Sequence, residues 1–158
     1  MLILGIDPGL ATVGFGAVLK TGTKYRAIEY GAIITKPKQI LESRLSEIYD
    51  SMNSLIEKLK PDCISIEELF FNKNVTTAID VAQARGVILL AAYKHGVDIY
   101  EYTPLEVKSS IVGYGRAEKQ QVQYMVRLML NLDETPKPDD TADALALALC
   151  HGARISSF

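Results

Sequence analysis

Carboxylates recur in this sequence at places where an apolar segment ends. Leu2 to Asp7 reads LILGID, a run of strand length closed by one acid, and Pro8-Gly9 turns the backbone directly after it. Asp62 to Ile66 is a second such run, followed by Glu67 and Glu68. Further along, Asp139, Asp140 and Asp143 stand where an alanine- and leucine-rich helix begins. An ionised acid closing a buried strand is costly to desolvate unless it faces a cation, a hydrogen-bond donor or a cleft. Two plainer explanations compete. Asp7 could cap its own turn by accepting from backbone amides, and the helix dipole favours acids such as Asp139 and Asp140 in a first turn. Asp143 is harder to account for, because Ala142, Ala144, Leu145, Ala146 and Leu147 surround it and leave it needing a partner. Asp140 and Asp143 are three residues apart and Asp139 and Asp143 four, so either pair can share a helix face, and spacing does not choose between them.

Suppose the three acid-bearing segments meet at one edge of a sheet. Several carboxylates so close cannot all stay ionised without cations between them. Hard oxygen donors with few imidazoles call for Mg²⁺, or Mn²⁺ in its place, rather than zinc. Two such ions about 4 Å apart activate a water and stabilise the leaving oxygen in phosphodiester hydrolysis, which makes a nuclease the expectation. His95 and His151 fit no ligand spacing and read as structural or exposed; Cys63 and Cys150 read as small buried hydrophobes.

The elements that would hold these acids follow from periodicity. Val13 to Leu19 and Tyr25 to Ile34 continue the first strand as two more, with a hairpin turn at Gly22. Leu41, Leu45, Ile48, Met52, Leu55 and Leu59 recur at helical spacing up to Pro61, a stripe suited to covering a sheet. The strand before Glu67 reads as buried on both faces. After it comes Leu69-Phe70-Phe71-Asn72-Lys73-Asn74, a loop whose adjacent aromatics can stack on bases or pin the loop to the core. Val75 to Lys94 reads as a helix weakened by Gly86, which could admit another helix closely. Val97 to Tyr100 is a short strand, and Thr103-Pro104-Leu105-Glu106 opens a helix with a capping box. Gly113-Tyr114-Gly115-Arg116 interrupts, Ala117 to Leu130 resume a helix, and a last helix runs from the aspartates to about Ala153.

With 158 residues the chain suits one domain, spanning 1–158. No apolar run approaches the roughly 18 residues a membrane span needs and no signal-peptide pattern opens the chain, so a cytoplasmic location is expected. The net charge of −2 argues against an indiscriminate nucleic-acid binder. The bases are nevertheless local: Lys108, Arg116, Lys119 and Arg127 fall in one segment with only Glu106 and Glu118, and a phosphate backbone would find contacts there.

Taken together, Gly5-Ile6-Asp7-Pro8-Gly9, Ile66-Glu67, Ala82-Gln83-Ala84-Arg85-Gly86-Val87, Ala117-Glu118-Lys119 with Gln121-Val122, and Ala142-Asp143-Ala144-Leu145-Ala146 resemble, in order and along nearly the whole chain, the motifs of the RuvC-type Holliday junction resolvases of the ribonuclease H-like superfamily. The resemblance implies a homodimeric endonuclease that binds four-way DNA junctions and nicks two symmetry-related strands, leaving ligatable 5′-phosphate ends, in recombination and repair. It implies four catalytic and metal-binding acids at Asp7, Glu67, Asp140 and Asp143, with Glu68 and Asp139 as neighbours. It also implies a junction-stacking aromatic at Phe70, with Phe71 beside it, and basic residues needed for cleavage at Lys108 and Lys119. Some relatives carry histidine at the position of Asp140. A branch-migration motor is the partner the family implies.

Both routes lead to one fold: an α/β chain with a mixed five-stranded sheet, strands one to three antiparallel, four and five parallel to the first, and helices on both faces. Two rivals remain at this point. One is a ribonuclease H-like nuclease on another substrate, such as precursor RNA or an RNA–DNA hybrid. The other is an actin or sugar-kinase type ATP-binding protein, whose first hairpin also sets glycines after an acid but which needs two similar domains.

Overall fold

Backbone pairing begins at the first acid-bearing strand. β1 (Leu2–Asp7) pairs antiparallel with β2 (Thr12–Thr21), and β2 with β3 (Lys24–Ile34). The turn between β2 and β3 rests on Gly22 at φ 60°, a conformation that costs glycine little. On its other side β1 pairs in parallel with β4 (Cys63–Glu67), and β4 with β5 (Asp98–Tyr102), giving the order β3-β2-β1-β4-β5. The helices are α1 (Leu41–Leu59), α2 (Val75–Lys94), α3 (Pro104–Val112), α4 (Lys119–Met129) and α5 (Asp139–Arg154). The computed structural model describes residues 1–69 and 75–155. Phe70 and Phe71 lie outside the described residues.

The expected mixed sheet is present, with local differences. β5 runs to Tyr102 rather than stopping at Tyr100, because its parallel pairing carries Glu101 and Tyr102 on beside Ile66 and Glu67. At the sheet edge its polar residues stay exposed without cost. α4 starts at Lys119 rather than Ala117, since Glu118 caps it in a box with Gln121. The Thr103–Glu106 box caps α3 as expected. Gly86 does not interrupt α2, which runs unbroken. Among the described residues no helix is long and apolar enough to cross a membrane.

Strand alternation sorts the side chains into two layers. Leu4, Ile6, Ile64 and Ile66 join Ile48, Met52 and Ile88 in a core between the sheet, α1 and α2. Ile3 and Cys63 join Val107, Val126 and Leu149 in a second core beneath α3, α4 and α5. By the same alternation Asp7 and Glu67 belong to the second face, two residues on from Gly5 and Ser65, which are paired across the strands. Ser65 Oγ donates to Leu147 O at 2.7 Å and ties β4 to α5. Gly5 lies against the backbone of Ala144, and Gly16 against the Leu145 side chain. Absent side chains on β1 and β2 thus bring α5 onto the sheet at backbone contact, beside the strand end that carries Asp7.

Candidate active site

Asp7 and Glu67 close two adjacent parallel strands on the face that α5 covers. Asp143, in the second turn of α5, completes the group. These three acids line a cavity of about 190 Å³ with Lys108 of α3 and Lys119 of α4, walled by Val107 and Leu147. Burial among apolar groups and mutual repulsion are both legible in their acidities. Burial, then the charges of Glu67, Asp143 and Asp140, pushes Asp7 up to about 8, with Lys119 opposing. Glu67 is raised by burial and by Asp143. Asp143 is raised chiefly by burial, against the hydrogen bond and charge of Lys119. Burial would lower Lys119, yet the hydrogen bond and charge of Asp143, with Asp139 and Asp7 beyond, more than offset it.

Lys119 Nζ sits 2.9 Å from Asp143 Oδ2 and 3.6 Å from Asp139 Oδ2. The ammonium is therefore the local counter-charge of the acid group. Among the described residues no group of three or more His, Cys, Asp or Glu is gathered closely enough to hold an ion. Glu67 is steadied from behind: Arg85 Nε of α2 donates to Glu67 O at 3.3 Å, and its Nη2 lies 2.8 Å from Glu101 Oε1, an ion pair without hydrogen-bond geometry.

Asp140 stands apart from the cavity lining, at the outer start of α5 near enough to Asp7 to raise it. Arg116 is exposed on the turn between α3 and α4 and does not line the cavity. Glu68 is exposed, its amide donating to Tyr102 O at 2.9 Å. His95 is exposed and meets Asn53 at 3.1 Å. His151 is buried, 2.7 Å from the Tyr102 hydroxyl, on the α5 turn well past the acids. Cys63 and Cys150 are free and buried. Sequence reasoning missed Arg85 behind Glu67 and the packing role of Gly5 and Gly16; glycines inside strands are the signal that points to close backbone approach.

The donor set fits a hard divalent cation. Three carboxylate side chains, raised in pKa chiefly by burial, face one cavity with no imidazole or thiol among its lining residues. Such a site can polarise a phosphodiester and its attacking water.

Comparison with known proteins decides the family. The model of the crossover junction endodeoxyribonuclease RuvC family matches residues 3–151. This chain belongs to the RuvC family. Among its RuvC relatives, that of Alkaliphilus metalliredigens is 58% identical over 96% of this chain and 92% of its own length. That of Ruminiclostridium cellulolyticum is 57% identical over the same shares. The Thermus thermophilus RuvC solved in complex with Holliday junction substrate superposes with a TM-score of 0.95 at 35% identity, over 99% of this chain and 96% of that one. The RuvC fold is ribonuclease H-like, so the mixed sheet with helices on both faces is the one expected.

Proposed function

We propose that this chain resolves four-way DNA junctions by paired, metal-dependent nicking, with Asp7, Glu67, Asp140 and Asp143 holding two Mg²⁺ ions, or Mn²⁺ in their place. The observation that carries it is the convergence of Asp7, Glu67 and Asp143 on one cavity in a RuvC family chain. Ions held there would supply Lewis acidity and lower the pKa of an attacking water. The chain's own residues do the rest. Asp7 and Glu67, fixed at strand ends, orient the ligand oxygens from a rigid sheet, while α5 sets Asp143 opposite them. Val107 and Leu147 exclude bulk water from one side of the cavity. Lys108 and Lys119 bring positive charge to where a scissile phosphate would approach, and Arg116 meets the backbone further out. Phe70 is assigned to stacking at the junction.

A junction with two cuts on symmetry-related strands calls for two sites, and a homodimer supplies them. Its proposed interface is the outer face of α2, where Ile79, Leu90 and Tyr93 are exposed on either side of Gly86. One nuclease domain over 1–158, a cytoplasmic location and a branch-migration motor as partner complete the reading.

The test is cleavage of a synthetic four-way junction beside a linear duplex and an RNA–DNA hybrid, with Mg²⁺ or chelator. Paired nicks in the junction alone, lost in Asp7→Asn and in Asp143→Asn while junction binding persists, are expected. Substantial residual nicking by either variant overturns the acid assignment, and cleavage of the hybrid instead overturns the substrate.

A further inference from the structure

Asp139 is outside the four acids assigned to metal, yet it is tied to the same lysine as Asp143. Lys119 Nζ lies between them, 2.9 Å from Asp143 Oδ2 and 3.6 Å from Asp139 Oδ2. The two aspartates are four residues apart on α5, hence on one face and separated by about one turn, about 6 Å along the axis. Asp139 uses its other oxygen: Lys137 Nζ donates to Asp139 Oδ1 at 2.9 Å. Oδ2 is thereby aimed along α5 toward Lys119. Both Asp139 and Lys119 are about half exposed, 46% and 51%, so their pairing adds little to folding.

We propose that Asp139 is a positioning residue that receives the Lys119 ammonium when Asp143 takes a cation. This rests on the metal reading of Asp143 given above. A divalent ion on Asp143 Oδ2 would repel an ammonium 2.9 Å from that same oxygen, because like charges at that range interact strongly in a partly buried site, and the repulsion favours moving the ammonium off. One turn outward it meets a carboxylate already oriented by Lys137, so it moves a short way along α5 instead of into bulk water. At that rim position Lys119 still overlooks the cavity, ready for a phosphate. Asp139 thus lowers the cost of loading the site and keeps the lysine in service.

The test is Mn²⁺ binding to the full chain without DNA, followed by electron paramagnetic resonance, in wild type, Asp139→Asn, Lys119→Gln and the double variant. If Asp139 acts through Lys119, Asp139→Asn weakens Mn²⁺ binding at least about threefold more in the wild-type background than in Lys119→Gln. Asp139→Glu restores binding to within about twofold. A smaller difference between the two backgrounds means that Asp139 contributes only its charge at a distance, or nothing, and overturns the proposal. Asp143→Asn is measured alongside. Undiminished Mn²⁺ binding there rejects the metal reading itself, an outcome separate from equal effects of Asp139→Asn in both backgrounds.

Discussion

Gly14 of β2 lies against the backbone of Asp140, so close that a Cβ at Gly14 would overlap the Asp140 carbonyl and come within 3.0 Å of its Cβ. The start of α5, and with it the spacing of two acids from Asp7, is therefore set by a missing side chain on a neighbouring strand. Gly14→Ala should force the helix start outward, costing about 1–3 kcal/mol of stability as overpacking does. Its cleavage of a four-way junction should fall further than its melting temperature implies, because displacement is directed at the acids. A variant that melts lower but cleaves at the wild-type rate would show that this contact supports the fold alone.

The raised pKa of Asp7 has a definite sign. An aspartate ordinarily near 3.8 that sits near 8 in the folded protein binds its proton more tightly folded than unfolded. Its contribution to stability is fully present below about 4 and is lost as pH climbs through 8, at up to about 1.4 kcal/mol per pH unit. Metal-free protein should therefore melt at progressively lower temperature between pH 5 and pH 8. Asp7→Asn should flatten that slope and melt above wild type at pH 8. Calorimetry in chelator checks both, and a wild-type slope unchanged in the variant would place the effect on other groups.

Lys108 and Arg116 belong to one basic segment but to different surroundings. Lys108 lines the cavity, whereas Arg116 is exposed outside it. Lys108→Ala should slow single-turnover cleavage of bound junction by at least about tenfold with a small change in affinity. Arg116→Ala should do the opposite, weakening binding and reducing the salt slope by about one unit, as loss of one phosphate contact does. Single-turnover rates and affinity at several salt concentrations separate the two.

Gly86 has nothing within 4 Å of where a Cβ would stand, and it interrupts nothing in α2. In a monomer Gly86→Ala should add about 1 kcal/mol of helix stability. If this face meets a second copy, the same methyl intrudes on a close helix contact. Analytical ultracentrifugation should then show a weaker dimer, and a dimer of unchanged strength would move the interface off this face.

Much of this was legible along the chain. Apolar runs of strand length placed Asp7 and Glu67 at strand ends, capping residues fixed the start of α3, and the stripe from Leu41 to Leu59 matched the helix over the first core. What stayed hidden depends on contacts between residues far apart in sequence. Nothing near Gly5 or Gly14 announces that Ala144 and Asp140 will press against them. Nothing in the spacing of the aspartates says that Lys119 will pair with Asp143, or that Asp140 will stand aside from the cavity lining. The end of β5 is hard to read because its exposed polar residues obscure a strand that, among the described residues, pairs with β4 alone.

The acids that face the cavity come from β1, the first strand, and α5, the last helix, with β4 between. A ribosome releases these elements in that order. While α5 is still unmade, the face of the sheet that carries Asp7 and Glu67 lacks both its cover and Asp143. On the acid assignment proposed above, a copy truncated before Asp139 lacks Asp140 and Asp143 and should not cut, so a DNA-severing activity should arise only in a polypeptide synthesised through α5.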